Sequence, residues 1–570
     1  MRKRAVTIVG VLAVLFAVAM FSVLPPKAAR TEPVAAFEGR VTVRGAYHIH
    51  SVRSDGSGTA DEIASAARRA GLEFIILTDH GDGTRPPLPP EYRDGVLTID
   101  AVELNTNEGH IVALGLPVTP YPLAGAASVV IEDIHRLGGM GIAAHPGSPR
   151  GSLSWQAWDA DFDGLEWLNA DSEWRDEQWW PLARSILTLG LRPTESLAAL
   201  LDRPDAVLAR WDAVTRTRRS VALAGADAHA QLGIRPRSDT ETSGSHVPWP
   251  GYELSFRSFS NHVVLDGPLT GNAETDASGL LNAIRQGRTY AVIDGFASPG
   301  GLRFAATSGA NVARMGDDLV VEGPVTLTAS MTGPPGANLV LFRDGQSVGT
   351  YSCAIEEQVA GDPGVYRLEA YLATETGHAS TPWLVSNPIY VGFMREAPIT
   401  IDASDEIPIS RIPARIMEAA PELGAGDSST VAVTRVRMGA MAGEPPIVWT
   451  FGLAEGPARG QFAAISVPIT GGLTAFDRLR FTVTSDTPAR IWVQLRASSG
   501  SDARWGRTFY VDEASRMVDL RFSDFRPLGA ITTGPPPLDQ IDALLFVVDT
   551  LNTLPGGTGT LTLADVAFVR

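Results

Sequence analysis

Between Val41 and Ile293 the chain repeats one pattern, a short apolar run followed by a break or a helical stretch. The apolar runs end in imidazoles and carboxylates. Val41-Thr42-Val43-Arg44-Gly45-Ala46-Tyr47 leads into His48-Ile49-His50. Thr59-Ala60-Asp61-Glu62 is a capping box that predicts a helix start, and Gly71 is placed to stop that helix. Phe74-Ile75-Ile76-Leu77 is continuously apolar, as expected for a parallel strand covered on both faces, and Thr78-Asp79-His80 follows it. Leu97-Thr98-Ile99-Asp100-Ala101-Val102 ends at Glu103, and His110 opens Ile111-Val112-Ala113-Leu114. A helix is predicted from Val129 to Leu137, broken by Gly138-Gly139, before Gly141-Ile142-Ala143-Ala144 runs into His145-Pro146. Val221-Ala222-Leu223-Ala224 precedes Asp227-Ala228-His229. Repeated β-then-α units with reactive residues beyond the strands predict an α/β barrel-like layout.

His48 and His50, two apart on one strand, present both rings to one side. Asp55 sits in a Ser54-Asp55-Gly56 turn that can fold a carboxylate back, and Glu103 can bridge two ions. With His80, His110, His145, Asp227 and His229 the set holds more donors than one tetrahedral shell uses. It suits two or three divalent ions sharing ligands, with zinc, manganese or iron all acceptable to imidazole and carboxylate. Such a cluster lowers the pKa of a bridging water and clamps a tetrahedral transition state.

Other residues read two ways. Asp79 orients a ligand or caps a helix. Glu166 and Asn169, after Gly164-Leu165, line the site or end an ordinary strand. Arg53, Arg150 and Arg175 clamp an anionic substrate or are solvated surface charge. Trp155, Trp158, Trp167, Trp174, Trp179 and Trp180 crowd one stretch, as an aromatic rim or as packing. His135, His246, His262 and His378 lie outside the motifs and are read as non-ligands.

The series His-x-His…Ser-Asp-Gly, Thr-Asp-His, Glu, His, His-Pro, Asp-Ala-His resembles the polymerase and histidinol phosphatase (PHP) superfamily of metal-dependent hydrolases over about residues 44 to 295. The resemblance implies a distorted (β/α)7 TIM-like barrel with two or three metals at its C-terminal face. It implies His48, His50, Asp55, His80, Glu103, His110, His145, Asp227 and His229 as ligands, with Glu103 as the bridge. Trp211-Asp212, Gly287-Arg288-Thr289-Tyr290 and Pro382 to Val391 resemble the exported CehA/McbA-like branch. The implied activity is hydrolysis by a metal-bound hydroxide of a small-molecule or glycan-linked substrate. A phosphoester comes first and a carboxylic ester or carbamate second. A cell-surface glycan-binding protein with a metal-stabilised barrel is the reading from another class.

After about Gly300 helical periodicity fades. Val325 to Ala329, Asn338 to Phe342 and Val365 to Tyr371 read as strands, with Asp344-Gly345 as a hairpin turn, so residues 301–395 suit an Ig-like β-sandwich. Residues 396–445, rich in Pro, Ala, Gly and acidic residues, look like linker. The block 446–570 is all-β. Val518 to Phe525 and the run Asp539 to Val569, with Asn552 and Gly556-Gly557, resemble jelly-roll, galactose-binding-like modules, which implies a glycan there, with Trp492 or Trp505 to stack on it. The chain is thus expected to be multidomain: residues 1–26, 40–300, 301–395, 396–445 and 446–570.

Arg2-Lys3-Arg4 precedes twenty uncharged residues, Ala5 to Leu24, and then Pro25-Pro26. This reads as a signal peptide or signal anchor, and its length and the lack of a small-x-small cleavage motif favour the anchor. Either way the rest of the chain is expected outside the cytoplasm, with membrane association at the N-terminus. Cys353 is the only cysteine, which excludes thiolate-rich zinc sites and intramolecular disulfides. A net charge of −17 argues against a broad nucleic-acid surface.

Overall fold

The computed structural model describes residues 20–31, 40–230, 232–233, 246–247, 250–298, 300–373, 379–393, 420–423, 430–435, 446–455, 461–497, 503–529 and 533–570. Most of the Ala5–Leu24 run, with His246's side chain and His378, lies outside these residues. Among the described residues no helix is long and apolar enough to cross a membrane. The chain divides into two compact units, residues 1–117 with 126–395, and residues 118–125 with 396–570.

In chain order the first unit contains β1 (Val41–Ile49), α1 (Ala60–Ala70), β2 (Phe74–Leu77), β3 (Val96–Asp100), β4 (Val102–Thr106), β5 (Gly109–Leu114), α2 (Ala127–Arg136), β6 (Met140–Ala143), β7 (Gly164–Asn169), α3 (Ala170–Asp176), α4 (Trp179–Thr188), α5 (Pro193–Ala198), α6 (Asp205–Thr215), β8 (Val221–Ala228), α7 (Tyr252–Ser258), β9 (Ser260–Leu265), α8 (Ala273–Arg285) and β10 (Thr289–Val292). The predicted capping box is present: Thr59 accepts from the Glu62 amide, and Gly71 ends α1 at φ 78°.

β1, β2 and β3 pair in parallel, and β4 continues β3 past Ala101. β5 is antiparallel to both β4 and β6. β6, β7 and β8 are parallel, and β8 returns to β1 through Gly225 opposite Tyr47 and Ala228 opposite Ile49. The strands thereby close a barrel. Strict strand–helix alternation does not hold: the β2–β3, β4–β5 and β6–β7 links carry no α-helix. The β4–β5 link is a tight hairpin, because Asn107-Glu108 leaves room only for a turn between two short strands. At the seam β1 has two partners, β9 along Val41–Gly45 and β8 beyond it. Asn261 on β9 fills the gap: its amide donates to the Ala224 carbonyl at 2.8 Å and accepts from the Ala224 amide at 2.9 Å. Val43, Phe74, Ile76, Leu97, Ile99, Val112, Ile142 and Leu223 form one buried cluster, joined by Leu280 and Ile284 of α8.

Residues 301–395, expected as a separate sandwich, belong to the same compact unit as the barrel. The main strands are β11 (Gly301–Ser308), β12 (Val325–Thr332), β13 (Asn338–Arg343), β14 (Gly364–Tyr371), β15 (Leu384–Ser386) and β16 (Ile389–Val391). β15 pairs with β10, so the barrel's side sheet runs on into this region. A buried ion cluster fastens it: Arg367 of β14 donates to both Asp212 oxygens of α6 at 2.7 and 2.8 Å and to Glu369, which also takes Arg203. Arg367→Met would leave Asp212 and Glu369 short of a buried countercharge. We expect it to cost about 3–5 kcal/mol, read as an earlier unfolding transition of this unit in urea. An unchanged transition would show the cluster to be dispensable.

The second unit stacks two antiparallel sheets. Its main strands are β17 (Ile447–Gly452), β18 (Phe462–Pro468), β19 (Arg478–Ser485), β20 (Ala489–Ala497), β21 (Arg504–Val511), β22 (Arg516–Arg521), β23 (Ile541–Asp549) and β24 (Thr558–Val569). One sheet has the order Ala420–Leu423, β18, β23, β20, β21, Arg526–Leu528; the other runs Thr430–Arg435, β17, β24, β19, β22. Two strands thus fall in the stretch expected to be linker. Trp449, Phe481, Leu563, Ile491, Phe546 and Trp505 are among the residues that fill the layer between the sheets. Trp505 is therefore core, and Trp492 packs on Leu545 and Val547 on the outer face. The Trp505 ring is thus closed to stacking, while Trp492 is half-buried.

Candidate metal centre

All nine predicted ligands converge at one end of the barrel, in four overlapping groups of donor atoms: His50/Asp55/His80/His229, His48/Glu103/His145, His48/His50/Asp227 and His80/Glu103/His110. The backbone delivers three of them at a cost. His48, His145 and Asp227 have φ of 65°, 31° and 44°, a left-handed conformation that L-residues adopt seldom and that clusters at functional sites. Each such turn at a strand end swings a side chain inward that would otherwise follow the pleat.

Glu103 is the hub. Its Oε2 lies 3.3 Å from His48 Nε2, 3.3 Å from His50 Nε2 and 3.2 Å from His80 Nδ1. Its Oε1 meets His110 Nδ1 at 2.8 Å and His145 Nε2 at 2.9 Å. His48 Nε2 and His50 Nε2 are 3.1 Å apart, and Asp227 Oδ1 is 3.5 and 3.4 Å from them. Ligand atoms about 2.0–2.1 Å from one four-coordinate ion stand about 3.3–3.4 Å from each other, so these atoms sit at ion-sharing distances. His80 Nδ1 is buried and has no hydrogen-bond partner although Glu103 Oε2 is near, which is the orientation of two atoms addressing a common third. Asp55 completes the outer side, 3.3 Å from both His50 Nδ1 and His229 Nε2. The donor set therefore fits divalent cations.

A second set of side chains supports the first. Asp79 accepts from Ser51 N, Ser51 Oγ and Ser54 Oγ at 2.8, 2.6 and 2.6 Å, fixing the loop that carries His50 and Asp55. Gly56 is required there, since a Cβ would meet the His50 carbonyl oxygen at 2.1 Å. Glu166 does not line the site as one reading had it. Its Oε1 holds His48 Nδ1 at 2.5 Å, and its Oε2 accepts from His145 N and Asn169 Nδ2, both at 2.7 Å. Asn169 in turn caps α3 through Ser172 N. The bond to Glu166 turns Nε2 of His48 toward Glu103 and Asp227. Arg53 is held on Asp100, through NH1 at 2.8 Å to both oxygens. Arg150 is exposed and, with Pro149, Trp174, Arg175 and Leu182, lines a 360 Å³ cleft.

Sequence reading missed Tyr252. Its hydroxyl accepts from Ser57 N and Gly58 N and donates to the His50 carbonyl at 2.8 Å. His262, read as a non-ligand, is buried on β9 against Tyr290, and His135 pairs with Asp163.

Burial disfavours charge on His48, His50, His145 and His229, but the carboxylates outweigh it, whereas at His80 burial prevails and the pKa falls. Asp227 and Glu103 lift the His50 pKa to about 9, and Glu103 lifts His145 to about 8. Without an ion both imidazoles carry protons at pH 7, so loading must expel them. Apparent ion affinity should therefore rise with pH and level off near pH 9. Titration of the stripped protein with zinc or manganese in weak buffer at pH 7 should release protons, and loading without release would contradict the geometry. In the ion-free fold the same raised pKa values stabilise fully below the unfolded value near 6.5, and that contribution is lost as pH climbs through 8 to 9.

No family model matches the chain, and no curated protein does. Solved structures similar to it include a two-domain protein containing a predicted PHP-like metal-dependent phosphoesterase from Bacteroides vulgatus. That likeness has 15% identity, covers 64% of this chain and 99% of that one, and has a TM-score of 0.28. Another is a family 11 carbohydrate-binding module of a cellulosomal cellulase from Clostridium thermocellum, with 13% identity, 28% of this chain and 92% of that one covered, and a TM-score of 0.22.

Proposed function

We propose that the barrel is a metal-dependent phosphoesterase of the PHP type, exported or membrane-anchored by its N-terminal segment. The observation that carries the reading is Glu103, one buried carboxylate whose two oxygens are divided among five imidazoles. A carboxylate shared in this way suits more than one divalent cation. Held by these residues, such ions would supply Lewis-acid activation of water and charge neutralisation at the reacting group. The chain's part is positional. Glu166 aims His48, and Asp79 holds the His50–Asp55 loop. A phosphoester, anionic in the ground state and more so as the bond to the nucleophile forms, matches a centre of divalent cations better than a neutral ester or carbamate does.

The test is the full-length protein stripped of metal and reloaded singly with zinc, manganese or iron. It is then given aryl phosphate mono- and diesters, aryl acetates and aryl carbamates. Phosphoester turnover that depends on added metal is expected. Turnover of acetates or carbamates alone would overturn the phosphoester reading, and a fully loaded protein inert to all would overturn the hydrolase.

A further inference from the structure

α4 is built inside out. Trp179, Trp180, Ile186 and Leu187 recur with helical spacing on its outer face and are 76%, 50%, 65% and 54% exposed, and Leu191 just beyond the helix is 62% exposed. Its inward face is polar: Ser185 Oγ donates to the Ser196 carbonyl and Thr188 Oγ1 meets Ser196 Oγ. A helix on a protein surrounded by water arranges these residues the other way round. A contiguous exposed apolar stripe of this kind marks a contact surface.

The same helix receives the end of the N-terminal apolar run. Arg184 of α4 donates through Nε to the Val23 carbonyl at 2.7 Å, and Arg192 donates to the Pro25 carbonyl. Pro25 is buried beside Pro181, Arg184 and Ser185, and Phe21 is 76% exposed. Twenty uncharged residues end here, enough to cross a bilayer core at about 1.5 Å per residue. The stripe carries no charged side chain, and Lys27 and Arg30, exposed, follow within a few residues. Paired tryptophans beside a spanning segment are what the bilayer interface selects.

We propose that α4 is a bilayer-contacting helix. Its Trp179, Trp180, Ile186 and Leu187 stripe, with Leu191 and Phe21, lies in the headgroup region of the membrane that the Ala5–Leu24 run enters. The occupant of the stripe is lipid, neither a second copy nor a protein partner. The inference is independent of the chemistry at the metal centre and rests on the N-terminal run being a membrane segment.

The test uses full-length protein reconstituted into phosphatidylcholine vesicles containing a fraction of lipid brominated near the headgroup end of its chains. Trp179→Phe/Trp180→Phe keeps the apolar surface but removes the two fluorophores nearest lipid. Wild type is expected to be quenched, and the double variant to lose most of that quenching while remaining vesicle-bound with unchanged circular dichroism. Equal quenching in both proteins, or none in wild type, would overturn the proposal. So would an oligomer in vesicles that dissociates in Ile186→Ser/Leu187→Ser, because the stripe would then be covered by a second copy.

Discussion

Glu103→Gln should abolish turnover for practical purposes. The substitution keeps volume but gives up one ligating oxygen and the charge, at a side chain 1% exposed and in contact with His48, His50, His80, His110 and His145. Cations at such a centre contribute several kcal/mol of transition-state stabilisation. At about 1.4 kcal/mol per decade, their loss lowers the rate by roughly 10³ or more. Elemental analysis should show the ion content of the variant falling by at least one per chain. Breaking a buried pairing also costs stability, so a melting curve must accompany the rate. The shared-carboxylate centre is wrong if Glu103→Gln retains its full ion content and turns over within tenfold of wild type.

Glu166→Gln tests a different link, the aiming of His48. Here the expected loss is in ion affinity, about 10–100-fold, the usual cost of removing a carboxylate behind a ligating histidine. Turnover should return once metal is raised to saturation. A second variant reaches the same place from behind. At Gly225 a Cβ would lie 2.5 Å from the Glu166 carboxyl carbon, so Gly225→Ala must push the carboxylate off His48 without touching any ligand. Matching affinity losses in the two variants, by competition with a chromophoric chelator, would establish the lever. An unaffected Gly225→Ala protein would refute it.

The clustering of the nine donors was legible because each stands beside a short apolar run, and the capping box and glycine stop of α1 were legible because they are local. What escaped depends on which strands are neighbours. Glu166 reads as a strand-end residue in sequence. Only the β7–β8–β1 order puts it behind His48. Tyr252 belongs to an unremarkable helical stretch and becomes a buttress because α7 lies against the His50 loop. Glu103 and His110 look like consecutive barrel positions, yet they sit on an antiparallel hairpin, which a period-two pattern cannot distinguish from parallel strands. Residues 301–395 carry sandwich-like alternation, but alternation says nothing about whether an edge is free, and β15 joins that edge to β10. Ala420–Leu423 and Thr430–Arg435 were hidden by a composition rich in small residues and proline, which signals breaks more strongly than it signals strands.

The seam between β8 and β1 has a consequence for how the molecule assembles. His48 and His50 come from the first stave of the barrel and Asp227 from the last, nearly 180 residues on, and the three meet where the ring shuts. Drawing those ends together is the slow, entropically expensive event of forming such a ring. An ion held from both sides would act as a clasp, favouring the closed ring by mass action. Metal supply would then govern how readily the newly made chain closes its ring, before any substrate is met.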